Sequence, residues 1–172
     1  MNLRETLLAV HSRAQSDKVV KWIGNSQERF DALFKLFTGN EDRVISRAAW
    51  PLSYAVQAHP ELIHKHFSKF VRNLRRPNLH DAAKRNTMRV LQEISIPKRF
   101  QGEIMNTCFT YISDPAEKPA VKAFSLTVLQ NLARQYPDIR QELKLVIESQ
   151  WENESPAFKS RAKKILREYQ YR

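Results

Sequence analysis

The sequence predicts an all-α fold built from stacked two-helix units, an α–α superhelix. Three observations carry the prediction. The run Val90-Leu91-Gln92-Glu93-Ile94 reappears as Val128-Leu129-Gln130-Asn131-Leu132, a step of 38 from 90 to 128, with looser copies at 52–56 and 165–169. Self-similarity at a period of roughly 20–50 residues marks stacked supersecondary units. Only three glycines occur in 172 residues, too few for the turns of an all-β fold. Apolar residues recur at helical spacing, punctuated by prolines and short polar turns. One two-helix unit cannot bury enough apolar surface to offset its conformational entropy, whereas stacked units share a core.

Residues 2–10 and 15–24 are expected to form two short helices, the second presenting Val19, Val20, Trp22 and Ile23. Ser26 before Gln27-Glu28 has the form of an N-cap with acid in the first turn. Phe30, Leu33, Phe34 and Phe37 follow at helical spacing until Gly39-Asn40 ends the helix. The next helix, about 41–58, carries Val44, Ala48, Leu52, Ala55 and Val56 on one stripe. Each later pair opens with a proline suited to a first helical turn, where its missing N–H costs nothing: Pro60, Pro97 and Pro137. Their partner helices are expected at about 79–95, 117–135 and 156–170. Such short connections force antiparallel neighbours. The chain thus reads as a single domain over 1–172, with an N-terminal cap at 1–25 and units at about 26–59, 60–96, 97–136 and 137–172.

Asp114-Pro115, then Val121-Lys122, then Leu126, Leu129 and Leu132 resemble the second helix of a HEAT repeat: an Asp-Pro turn, a Val-basic pair and spaced aliphatics. Ala83-Lys84 keeps the pair approximately, and Ile45-Ser46 departs from it. The resemblance covers most of the chain. It implies a right-handed superhelix whose second helices line the concave side and bind proteins or, in some members, nucleic acid.

The formal net charge is +11 and the pI about 10.0. The basicity is concentrated: residues 65–99 hold ten Lys and Arg against Asp81 and Glu93, and residues 159–172 hold six against Glu168. A clustered positive field favours acidic partners. No stretch approaches the ~20 apolar residues of a membrane span, and residues 1–10 lack the apolar run of a secretory signal. Cys108, the one cysteine, lies in an apolar run and supports no disulfide framework, so a reducing, cytoplasmic setting is expected.

Catalytic and metal motifs are sparse, and no cofactor is expected. His64 and His66 diverge by about 200° on a helix. The order His59-Pro60-Glu61-Leu62-Ile63-His64 is not that of a zinc-protease helix, and His11 and His80 have no ligand cluster beside them. Ser46, Ser53 and Ser125 lack a nucleophile-elbow context, and no glycine-rich phosphate loop exists. Cys108 reads as an inert packing residue.

The strongest binding candidate is a ladder on the second helices. Helical phasing places Arg47, Pro51 and Tyr54 on a non-core side; the repeat step carries this to Arg85, Arg89, Gln92 and Ile96, then to Ala123, Thr127, Gln130 and Arg134, and finally to Arg161 and Lys164. Arginine forks on such a stripe suit carboxylates or phosphates. The expected function is a non-catalytic scaffold holding an acidic protein partner, with nucleic acid as the alternative. Some bacterial HEAT-like DNA glycosylases hold DNA in a basic cleft with an acid flanked by aromatics and Arg. Here that resemblance would point to Trp50, Tyr54, Arg47, Arg85 and Arg89, with Glu93 as the mid-helix acid. A second basic edge, Lys65, Lys69, Arg72 and Arg75-Arg76, is expected on a first helix as a separate anionic-partner patch or a solvated face.

Overall fold

A computed structural model describes residues 1–170; Arg172 of the second basic block lies outside them. Among the described residues there is no strand. The α-helices are α1 (Leu3–Ala9), α2 (Arg13–Ile23), α3 (Gln27–Phe37), α4 (Asp42–Ala58), α5 (Phe67–Asn73), α6 (Asp81–Leu91), α7 (Lys98–Ser113), α8 (Pro119–Gln135), α9 (Ile139–Gln150) and α10 (Pro156–Gln170). Backbone packing divides the chain into two compact units, Met1–Ile94 and Ser95–Arg172. The all-α reading holds.

In the first unit α4 is the hub, packed by α1, α2, α3 and α6. It can serve four neighbours because small and aliphatic residues, Val44, Ile45, Ala48, Ala49, Leu52, Ala55 and Val56, are buried around much of its circumference. Pro51 is buried inside α4, not on the exposed side the phasing gave it. Its missing N–H leaves the Arg47 carbonyl without its helical donor. Phe30, Phe34, Phe37, Phe67 and Phe70 fill the core between α3 and α5. Ser26 caps α3 as its sequence context indicated, its hydroxyl accepting from the Arg29 N–H. Gly24 ends α2 at φ +50, where a β-carbon would be strained.

Two expected elements differ. Residues Pro60–His66 form a 3-10 helix, and only Phe67–Asn73 is α-helical. Side chains of α3 reach across to this segment: Gln27 Nε2 donates to the Leu62 carbonyl at 3.0 Å, and Asp31 pairs with Lys65 at 2.6 Å and His66 at 2.5 Å. The helix after residue 79 ends at Leu91, its last turn tightened by a Glu93 N–H to Val90 carbonyl bond. Of the prolines, Pro60 opens its 3-10 segment, Pro97 is the N-cap of α7 and Pro137 precedes α9, while Pro119 and Pro156 begin α8 and α10.

Asp31 also has an acid-stability consequence. Burial alone would raise its carboxyl pKa, but donors from Lys65, Gln27 and His66 outweigh this and hold it well below the usual carboxylate range. A depressed folded-state pKa contributes stability above the unfolded value of about 4, lost as pH falls toward the folded value. The melting temperature of wild type is therefore expected to fall more steeply below about pH 4 than that of Asp31→Asn. Parallel thermal melts from pH 5 downward check this; identical slopes would contradict it.

In the second unit α8 packs against both α7 and α10. Val121, Leu126, Val128, Leu129 and Leu132 are buried, so the aliphatics of the repeat pattern are core residues. Cys108 is fully buried and its thiol pKa is pushed up by burial, in keeping with an unreactive packing role. Lys122, the basic member of the Val-Lys pair, is buried as well, bonded to Gln150 and Glu154.

Candidate functional site

The first unit contains a pocket of about 260 Å³. From α4 come Ser46, Trp50 and Tyr54, spaced four apart and therefore on one helical edge. From α6 come Arg85, Asn86 and Arg89, and His11 enters from the α1–α2 connection. No carboxylate lines the pocket.

The aromatic wall is held in place by its neighbours. Trp50 and Tyr54 rings lie 5.9 Å apart, and His11 meets Trp50 edge-on at 6.0 Å. Arg13 sits 4.2 Å over the Tyr54 ring and donates to the Tyr54 hydroxyl at 3.0 Å, while its Nε donates to Asp17 at 2.8 Å. Arg13 thus fixes the orientation of Tyr54. Arg85 is exposed and Arg89 half-buried. Asn86 is only 3% exposed; its Nδ2 donates to the Ala82 carbonyl, leaving Oδ1 with no protein partner. The pocket therefore offers two cations, a planar apolar wall and one unmatched acceptor.

Arg47 does not line this pocket. It lies in an adjoining recess with Ser16, and both Arg47 Nη1 and Ser16 Oγ are buried without partners. His11 and Trp50 are shared between the two recesses. Gln92 follows α6 and is half-buried; Ile96 is buried. Glu93 is exposed in the turn after α6 and is absent from the pocket wall, so the acid expected for a glycosylase-like centre is not mid-helix.

In the second unit the ladder residues satisfy one another. Gln130 Nε2 donates to Glu168 at 2.6 Å, and Arg134 Nε lies 3.6 Å from the same carboxylate. Arg161 donates to Thr127 Oγ1 and rests 5.1 Å over the Phe124 ring. Ala123 is buried, and Lys164 is exposed. Glu168 was not foreseen as a counter-charge, although one repeat step from 130 leads to it. His11, Ser46, Arg13 and Asn86 were also missed as site residues. No spacing rule links His11 to Trp50, and Asn86 is recognisable only from its unmatched oxygen. No group of three or more metal-ligating side chains occurs among the described residues, and none of their helices is long and apolar enough to cross a membrane.

The HEAT repeat domain model matches residues 3–169. No curated protein and no solved structure matches the chain. Since the family match runs through nearly every helix, the chain belongs to the HEAT repeat domain family.

Proposed function

We propose that the protein is a non-catalytic binding module that holds an acidic protein segment against α4 and α6. HEAT repeats are commonly protein-interaction scaffolds. The observation carrying the finer reading is the pocket itself: Arg85 and Arg89 flank a Trp50–Tyr54 wall, and no carboxylate is among the lining residues. Its volume of about 260 Å³ suits one inserted side chain better than a drug-sized ligand, whose sites run from about 300 Å³ upward. An Asp or Glu entering there would meet guanidinium forks, and a neighbouring N–H of the segment would satisfy Asn86 Oδ1. The ladder residues contribute unequally to this reading. Arg85, Arg89 and Tyr54 lead, Arg47 borders them, and Gln92 lies just beyond α6. Gln130, Arg134 and Arg161 are engaged in their own unit, and Lys164 lies exposed there.

Arg85→Glu with Arg89→Glu is expected to weaken binding of a fluorescent Glu-rich peptide at least about tenfold, as loss of one to two charge-assisted contacts implies. Thermal unfolding should change little. Equal peptide binding by both proteins would reject the reading; a large loss of folding stability would assign these arginines to the core instead.

The aromatic wall favours one second reading, single-stranded nucleic acid. Base–aromatic stacking contributes about 1–3 kcal/mol per base, and Trp50 with Tyr54 between arginines offers such a platform. A nucleic-acid complex would lose affinity linearly in log salt, with a slope near −0.7 per phosphate for single strands. Absence of an oligonucleotide anisotropy change at ~50 mM salt, where that attraction is strongest, would exclude it.

A further inference from the structure

We propose that the groove between the end of α3 and the outer edge of α5 is an oxyanion site for a phosphoryl group, free phosphate or a phosphate monoester. It is separate from the α4–α6 pocket and does not rest on the reading of that pocket. The groove is a shallow, open depression of about 460 Å³, and its wall is Thr38, Asn40, Lys69, Arg72, Asn73 and Arg76, three cations and no carboxylate.

Arg76 organises the floor. Its guanidinium donates to the Gly39 carbonyl at 2.8 Å, the Thr38 carbonyl at 3.3 Å and Asn40 Oδ1 at 3.1 Å. It thereby covers the carbonyl end of α3, which would otherwise repel an anion. Arg76 also donates to Asn73 Oδ1 at 3.4 Å, which fixes the orientation of that amide. Asn73 is 5% exposed, and its Nδ2 consequently has no acceptor on the protein. A buried donor left unmatched is costly, and an acceptor-only ligand removes that cost.

The two remaining cations stand one turn apart on α5. Lys69 and Arg72 are exposed, and neither joins an ion pair among the described residues. Arg72 Nε reaches only the Ser68 carbonyl, at 3.4 Å, and Lys69 Nζ rests 5.9 Å from the Phe34 ring. An ammonium, a forked guanidinium and a buried amide present donors of different geometry to one groove. A tetrahedral oxyanion with several acceptor oxygens matches that set better than a single carboxylate. Lys65, on the same sequence edge, is not part of it, since its ammonium is held by Asp31.

The test is a nuclear magnetic resonance titration of ¹⁵N-labelled full-length protein at constant ionic strength. Inorganic phosphate and glycerol 3-phosphate are the probes, and chloride is the background. Saturable movement of the Asn73 side-chain amide pair is expected. Lys69→Gln with Arg72→Gln, both exposed, should weaken it at least about tenfold while the remaining spectrum stays folded. Preference for the monoester would identify an esterified phosphate as the ligand, and equal or better binding of the inorganic ion would identify free phosphate; both support the site. Failure of the Asn73 pair to move with either probe would overturn it. So would an unchanged titration in the double variant, or equal shifts with added chloride.

Discussion

Lys122→Met is expected to destabilise the protein by about 3 kcal/mol, toward the lower end of the range for breaking a buried ion pair. The Lys122 side chain is 3% exposed and that of Glu154 8%, so neither charge is hydrated in the ordinary way. The ammonium bonds Glu154 and, at 2.9 Å, Gln150, while Phe158 lies 5.5 Å away. Removing it strands a carboxylate beside an amide oxygen that has lost its donor. The low end is chosen because Glu154 and Gln150 also line a recess of about 340 Å³, from which water can reach them. Lys122→Met combined with Glu154→Leu should recover most of the loss, since a buried pair roughly breaks even against well-packed apolar residues. Denaturant unfolding of the two variants, with amide exchange on α8 and α10, checks both statements. If the double variant is no better than the single one, the destabilisation comes from packing and not from a stranded charge.

Lys122 also illustrates what the sequence could and could not disclose. The Val-Lys pair was recognisable as a motif, and the 38-residue recurrence of aliphatics correctly marked buried positions such as Val90, Leu91, Val128 and Leu129. Burial patterns are local in sequence because helical spacing alone decides which side faces the core. Partner choice is not local. Lys122 meets Glu154, Gln130 meets Glu168, and Arg161 meets Thr127, each across more than 30 residues. Phasing placed Thr127, Gln130 and Arg161 on a shared side but could not show that Arg161 would bond Thr127 or that Glu168 would take Gln130. The same limit explains the basic edge on the second unit of the expected repeat. Lys65, Lys69, Arg72 and Arg76 looked equivalent, yet Asp31 takes the first and the end of α3 takes the last. The 3-10 segment Pro60–His66 is likewise bonded across elements, by Gln27 and Asp31, although its own spacing suits an α-helix.

Phe34→Ala should cost about 3–5 kcal/mol, the range for truncating a fully packed aromatic. Phe34 is buried at the centre of the aromatic core, against Phe30, Phe37 and Phe70, and stacks on His66 at 4.3 Å with planes 16° apart. The upper half of the range applies because the void would open between α3 and α5 while three other phenyl rings remain to be rearranged, which limits collapse. The loss should not be confined to packing. His66 is also bonded to Asp31, so an imidazole released from its stack would hold that carboxylate less firmly. A cycle combining Phe34→Ala with Asp31→Asn should therefore show a non-zero coupling energy, as expected for residues sharing a partner. Strict additivity would mean that the stack and the ion pair act independently. Well below the melting temperature, Phe34→Ala should still bind the Glu-rich peptide with the wild-type dissociation constant once corrected for the folded fraction, because Phe34 lines no part of the α4–α6 pocket. A corrected affinity that falls with stability would show instead that α3 packing shapes the recognition surface.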